Sequence, residues 1–373
     1  MATSAVFAQA SSTFSALTPL RPNAVAQQRR DTTATPGPSR LLDTIGNTPL
    51  VELTRLNSNP LARVFVKLEF VNPSGSIKDR IAKHIIETFE REGRLKPGWT
   101  IVENSSGNTA AAVAMVAALK GYKSVLVVPH KCSIEKQNAL KAFGARVIVS
   151  PPGAQHGTPE HYESIAIRLA SELPNAVRLD QYNNPLNIEA HYWGTGREIW
   201  EQTRGDIDYF VCGGSTGGTI TGVSRFLKER SDKVKIVLCD PAGSSMANAF
   251  RTGSYESSPG ASQIEGLGKN YQVDCYDPSL VDDAFSVGDR DAFLTARRMA
   301  QEEGILCGIS SGANVWSALE LARRATVPTN IVTVLPDGGS KYLSKLFNPQ
   351  WLLDHQIISP EEFAEMTAPD LLC

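Results

Sequence analysis

A lysine set at the start of a helix, just after a turn of small residues, is the first group in this chain able to do chemistry. Asn72-Pro73-Ser74-Gly75-Ser76-Ile77 leads into Lys78-Asp79-Arg80 and then into a helical pattern over residues 81–91. Backbone N–H groups and the positive end of the helix dipole disfavour protonation of an amine held there. A neutral amine is a nucleophile that condenses with an aldehyde. The same residues also read as a cap, Ser74 or Ser76, followed by a solvated lysine. Phe210-Val211-Cys212-Gly213-Gly214-Ser215-Thr216-Gly217-Gly218-Thr219 reads as strand, glycine turn and helix start. Such a turn presents consecutive N–H groups to a phosphate, and Ser215, Thr216 and Thr219 add hydroxyls. A nucleotide P-loop would need a lysine after Gly218, and none follows. The dinucleotide pattern fails because Ser215 stands where its second glycine belongs, although Asp240 partly imitates the ribose-binding acid. A single small phosphate fits best. Ser105-Ser106-Gly107-Asn108-Thr109, suited to a carboxylate, and Gly308-Ile309-Ser310-Ser311-Gly312-Ala313 are further turns entering helices.

These groups need a scaffold, and the chain alternates strand and helix signals from residue 41 onward. Residues 64–69, 100–102, 124–128, 147–149, 207–212, 235–239 and 330–335 read as strands. Residues 81–91, 110–120, 134–143, 161–172, 191–202, 219–229, 289–302 and 313–324 read as helices. Short loops between alternating elements predict an α/β protein with parallel sheets covered by helices on both faces. The polar stretch 251–263 is long enough to be either mobile or functional.

The 373 residues allow about two domains. A net charge of −2 offers no basic stripe for nucleic acid, and no apolar run approaches the length of a membrane span. Cys132, Cys212, Cys239, Cys275, Cys307 and Cys373 are scattered, which argues against a zinc site or a disulfide framework. The first 40 residues are rich in Ala, Ser, Thr and Pro and carry Arg21, Arg29, Arg30 and Arg40 against one acid, Asp31. That composition predicts a mitochondrial or plastid transit segment; the alternative is a disordered tail on a cytoplasmic protein.

Taken together, Pro73-Ser74-Gly75-Ser76-Ile77-Lys78-Asp79-Arg80, the Ser105–Thr109 and Ser215–Thr219 turns and Gly308-Ile309-Ser310-Ser311-Gly312 resemble the cysteine synthase and cystathionine β-synthase family. These are pyridoxal-phosphate enzymes of fold type II. Ile45-Gly46-Asn47-Thr48-Pro49-Leu50 and Leu335-Pro336-Asp337 extend the likeness, in family order, over residues 42–351. The resemblance implies two open-sheet α/β domains, like those of tryptophan synthase β, with pyridoxal 5′-phosphate in the cleft between them. Residues 41–71 and 185–355 would form the larger, phosphate-binding domain and 72–184 the smaller, substrate-loop domain. Residues 1–40 would lead and 356–373 trail. It further implies that Lys78 forms the Schiff base and that Asn108 meets the ring hydroxyl oxygen. Ser215, Thr216, Gly217, Gly218 and Thr219 would cradle the phosphate, and Ser310 would meet the pyridine nitrogen. Ser105, Ser106, Thr109 and Gln181 would hold the substrate carboxylate.

A neutral serine at the ring nitrogen makes a weaker electron sink than an acid would, which favours loss of a β leaving group over transamination. Lys78 would then remove and return the α-proton. The implied activity is β-replacement on O-acetylserine or O-phosphoserine through an aminoacrylate, with sulfide addition giving cysteine. Alternatives are a cystathionine- or diaminopropionate-type synthase, a non-catalytic partner-binding relative and a dinucleotide-dependent oxidoreductase. A homodimer is implied, and a serine acetyltransferase tail is a candidate partner. No cysteine precedes Cys132 to ligate a haem and only about twenty residues follow Trp351, so the chain reads as a stand-alone catalytic core. Three residues depart from the family pattern: Ser215 replaces a glycine, Ala110 replaces another and would narrow the pocket, and Lys269 follows Gly266-Leu267-Gly268. Lys269 is read either as a solvated loop lysine or as a cation that recognises an anionic substrate.

Overall fold

Strand β1 (Leu50–Glu52) and β2 (Ala62–Leu68) open the fold in a computed structural model that describes residues 40–368 other than Ser106 and Lys131. The predicted transit segment therefore lies outside the described residues apart from Arg40, and so does the proposed carboxylate ligand Ser106. Next come α1 (Lys78–Arg91), β3 (Thr100–Asn104), α2 (Asn108–Lys120), β4 (Lys123–Val128), α3 (Ile134–Ala142), β5 (Arg146–Val149), α4 (Tyr162–Glu172) and β6 (Ala176–Arg178). The chain continues through α5 (Leu186–Ala190), a π-helical turn (His191–Gly196), α6 (Arg197–Thr203), β7 (Tyr209–Gly213), α7 (Gly218–Lys228), β8 (Lys235–Pro241) and α8 (Met246–Thr252). It ends with β9 (Asp283–Val287), α9 (Asp289–Glu303), α10 (Ile309–Arg324), β10 (Thr329–Leu335), α11 (Pro349–Asp354) and α12 (Pro360–Thr367).

The strands form two sheets. Six of them run in the order β1-β2-β10-β7-β8-β9, and four in the order β5-β4-β3-β6. Every pairing is parallel except β1 with β2. Parallel strands are buried on both faces, and the alternation shows it. In β10, Ile331 and Leu335 enter one apolar core while Val332 and Val334 enter the other. In β4, Leu126 and Val128 face one side of the smaller sheet and Val125 and Val127 the other. Helix α2 is apolar nearly all round (Ala110, Ala112, Val113, Ala114, Met115, Val116 and Ala117 are buried), as befits a helix packed inside a core. Ile357 and Ile358 are buried in the core of the larger sheet just before α12. The two-domain division at residues 72 and 185 is our proposal, made on sheet membership.

The clearest difference from the sequence reading falls at residues 191–202, where periodicity predicts one regular helix. The chain forms the π-helical turn and then α6 instead. Gly194 and Gly196 weaken the regular helix, and α7 crosses it closely. A Cβ on Gly222 of α7 would overlap the Ile188 carbonyl oxygen, and one on Gly196 would lie 2.9 Å from Phe226 Cβ. π-Helical turns of this kind often sit at functional sites. The strands β1, β6 and β9 carry no clear alternation in the sequence; all three lie at sheet edges.

Candidate active site

Lys78 is the first residue of α1, and Ser76 Oγ accepts its backbone N–H at 3.3 Å. The N-cap is Ile77, without a side-chain cap hydrogen bond, so the reading of Ser74 or Ser76 as the cap of α1 is corrected. The Lys78 amine makes no hydrogen bond or ion pair with any described residue. Burial lowers its pKa below the ordinary lysine value, against the opposing pull of Cys212, Asp337 and Glu69. Burial thus acts in the same direction as the helix terminus invoked from sequence.

Lys78 shares one cavity with the glycine turn. Ser215, Thr216, Gly217 and Thr219 line it opposite Ile77 and Lys78, and Leu267, Val334 and Pro336 close its sides. Gly218 begins α7 behind the turn. The N–H groups of Ser215, Thr216 and Gly217 have no acceptor among the described residues, and Gly218 N–H reaches only Thr216 Oγ1, at 3.4 Å. Unpaired donors at a helix start are a seat for an anion. Gly217 holds φ +85°, and a Cβ there would lie 2.6 Å from the Tyr276 backbone N. A Cβ on Gly218 would overlap Asn187 Oδ1. Asn187 in turn donates to Gln181 O at 2.7 Å and Thr216 Oγ1 at 3.1 Å, tying the glycine turn to Gln181. A free amine beside a row of unpaired N–H donors fits an aldehyde that carries a phosphate. Gly218→Ala should therefore weaken retention of that ligand about 10- to 100-fold, equivalent to ~1–3 kcal/mol of overpacking, as read by equilibrium titration.

Asn108 begins α2, and the structure supplies two partners for it that sequence reasoning missed. Its Nδ2 donates to Asp337 Oδ2 at 2.8 Å, and its Oδ1 accepts from Lys341 Nζ at 2.7 Å. Tyr342 OH also donates to Asp337 Oδ2, at 2.7 Å. Burial raises the Asp337 carboxyl pKa, and the Asn108 hydrogen bond and Lys341 pull it back. Asp337 Oδ1 is buried without a hydrogen bond. Ser310 is buried in the first turn of α10, two residues past Gly308, where any Cβ would overlap Asp337 Oδ1. Thr109 Oγ1 donates to Gln181 Oε1 at 2.7 Å, and Gln181 Nε2 donates to Asn104 O at 3.3 Å. Ser105 Oγ accepts from Gly107 N.

His191 was also missed. It is fully buried in the π-helical turn, with Nδ1 2.9 Å from Thr195 Oγ1 and Nε2 3.2 Å from Thr219 Oγ1. Burial, then the charges of Lys78 and Arg80, push its pKa well below the ordinary value. A neutral imidazole there can donate from Nε2 to Thr219 Oγ1, leaving the Thr219 hydroxyl proton for an anion in the turn. The i,i+4 spacing of His191 and Thr195 was the available signal.

Two sequence readings are corrected. Asp240 does not imitate a ribose-binding acid: it is buried, and its Oδ2 accepts from Ala247 N in the first turn of α8. Ala110 is wholly buried in the smaller core, so its methyl group packs there and not in the cavity lined by Lys78.

Two α/β sheets, parallel except at β1, with a lysine at a helix start sharing a cavity with a glycine turn, are the architecture of a fold type II pyridoxal-phosphate enzyme. The chain matches the family described as "Pyridoxal-phosphate dependent enzyme" over residues 41–337, and it belongs to that family. Its cofactor is pyridoxal 5′-phosphate. The chain is 40% identical over 322 residues to a cystathionine beta-synthase of Apis mellifera, an alignment covering 86% of this chain and 63% of the relative. It is 40% identical over 323 residues to a cystathionine beta-synthase of Mus musculus, covering 86% and 57% respectively. The chain thus spans about three-fifths of the length of these relatives. Among solved structures, an O-ureido-L-serine synthase superposes with TM-score 0.76 at 38% identity, covering 84% of this chain and 96% of that one.

Proposed function

We propose that this enzyme catalyses β-replacement on an O-activated L-serine. The observation that carries the reading is the Lys78 amine, free of partners and lowered in pKa, in one cavity with the unpaired N–H donors of the Ser215–Thr219 turn. The Ser215, Thr216, Gly217, Gly218 and Thr219 turn would hold the cofactor phosphate, Asn108 the ring oxygen, Ser310 the ring nitrogen and Lys78 the aldehyde carbon. Bound there, pyridoxal 5′-phosphate would supply an aldehyde for the substrate's amino group and an electron sink for Cα. Ser105, Ser106, Thr109 and Gln181 bind the substrate carboxylate and fix the Cα–H bond toward Lys78. Lys78 takes the α-proton as the β substituent leaves and returns it after the nucleophile has joined Cβ. Leu267 and Val334 add apolar surface to the cavity lining.

Sulfide addition giving L-cysteine is the first reading of the nucleophile. A thiol amino acid such as homocysteine is the second, favoured by the 40% identity to cystathionine beta-synthases. We further propose a homodimer, with a serine acetyltransferase tail as a candidate partner, and an organellar address in residues 1–40. The test is a substrate matrix on the holoenzyme: serine, O-acetylserine and O-phosphoserine against sulfide, cyanide, homocysteine and glutamate. β-Replacement predicts that at least one pair yields product with parallel double-reciprocal lines. A holoenzyme that turns over no pair would reinstate the partner-binding alternative.

A further inference from the structure

The loop between α8 and β9 carries a second cationic feature that the reaction outlined above does not use. Gly266 and Gly268 hold φ +87° and +77°, and Gly268 N–H donates to Gly214 O at 2.7 Å. Lys269 N–H donates to Ser244 Oγ at 3.2 Å, and Lys269 O accepts from the Ser244 and Ser245 hydroxyls at 3.1 and 3.0 Å. The Lys269 backbone is therefore fixed against the flank of the phosphate turn.

Its side chain ends in an aromatic cage. Nζ lies 4.1 Å from the Tyr182 ring centroid and 4.6 Å from that of Tyr271, and it donates to Tyr271 OH at 2.8 Å. Ring faces and a phenol solvate a cation without neutralising it. Lys136 and Lys345, by contrast, each reach a carboxylate of Glu265. No described carboxylate pairs with Lys269. Glu163, the acid that acts on it, is engaged by Arg178 at 3.0 Å and His156 at 3.3 Å. His156 in turn stacks on Tyr271, with ring centroids 4.4 Å apart. An ammonium has three donors, and among the described residues only Tyr271 OH accepts a hydrogen bond from this one.

The cage lies beside the substrate side. Tyr182 directly follows Gln181, the partner of Thr109, and Lys269 directly follows the glycine tied to the phosphate turn. We propose that Lys269, held by Tyr182 and Tyr271, binds an oxyanion (a carboxylate or a phosphate) carried by the group that leaves or joins Cβ. This rests on the β-replacement reading for where the anion travels, but not for the anion site itself. A partly buried cation without a counter-charge is costly, and a bound oxyanion offsets that cost. Burial also brings the Lys269 pKa down to about 8, so an arriving anion meets a charged group at neutral pH.

The test compares holoenzyme with its Lys269→Met and Lys269→Arg variants in two ways. The first is calorimetric titration with glutarate and with inorganic phosphate, which needs no turnover. Lys269→Met should bind at least one of them about 10- to 100-fold more weakly, the value of a charged hydrogen bond, while Lys269→Arg retains most of the affinity. The second is the kcat/KM ratio of O-phosphoserine to O-acetylserine with sulfide, and of homocysteine to 2-mercaptoethanol with a common donor. A selective fall in the first ratio assigns the anion to the leaving group, and in the second to the nucleophile. Unchanged anion affinity in Lys269→Met overturns the proposal. Lost anion affinity in an enzyme that performs no β-replacement would overturn the proposed function and leave the anion site standing.

Discussion

Lys78→Ala should reduce turnover at least roughly 10³-fold while leaving a folded protein, because both covalent capture and α-proton transfer are lost together. Lys78→Arg should not rescue it, since a guanidinium stays protonated and cannot serve as either nucleophile or base. The effect on folding should be small. Among the described residues the Lys78 amine has no hydrogen-bonding partner to orphan, and burial disfavours its charged form. Two measurements check this. Borohydride reduction followed by peptide mass analysis should place the cofactor on Lys78 in the wild type and on no lysine in the variant. Thermal denaturation should show a midpoint near that of the wild type. Cofactor trapped on Lys341 instead would sink the assignment.

Arg80→Met should cost about 3–5 kcal/mol of stability, the usual result of removing one member of a buried ion network. Arg80 donates to Glu69 at 2.7 and 2.8 Å and to Glu198 at 2.7 and 2.8 Å, and Lys67 reaches Glu198 at 2.9 Å. All four side chains are almost fully buried. Thr48 Oγ1 donates to Glu69, Asn72 Nδ2 donates to Glu69, and Asn72 Oδ1 accepts from Gly46 N. The network thus accounts for the Gly46-Asn47-Thr48 segment and fixes the first turn of the helix that begins at Lys78. Burial pushes the Glu198 carboxyl up, but Arg80 and then Lys67 overcome this and hold it well below its ordinary 4.5. A depressed folded-state pKa gives stability that is complete above the unfolded value and is lost as pH falls through the folded one. Denaturant midpoints should therefore hold above about pH 5 and fall on acidification, and Arg80→Met should flatten that fall. Replacing all four members, Lys67, Arg80, Glu69 and Glu198, with apolar residues of similar size should cost less than Arg80→Met alone, because no buried charge is then left unpaired.

Much of this was readable because the signals are local. A turn of small residues before Lys78, the glycine run at 213–218 and the apolar alternation of β2, β4 and β10 each occupy a few consecutive residues. Periodicity placed most long elements to within a few positions, though α1 starts at Lys78 itself and α10 at Ile309, earlier than the apolar pattern suggests. The supporting residues were hidden because they are far apart in the chain. Asn108 meets Asp337 across 229 positions, and Thr219 meets His191 across 28. The π-helical turn escaped because its cause is the close approach of another backbone, which no single helical pattern records. Lys269 was visible as a departure, but its cage of Tyr182 and Tyr271 needed the fold.

The position of β10 constrains how the nascent chain can be assembled. It lies between β2 and β7 in the larger sheet, with Thr329 opposite Ala62 and Ile331 opposite Tyr209. The strands of the smaller sheet all fall within residues 100–178, so that sheet can close during vectorial synthesis. The larger sheet receives its central strand last. Until residue 335 has left the ribosome, β2 and β7 have unfilled edges facing the gap, the kind of edge that invites pairing with another chain. A product truncated before β10 would keep every strand of the small sheet and lack the one strand that pairs with both β2 and β7.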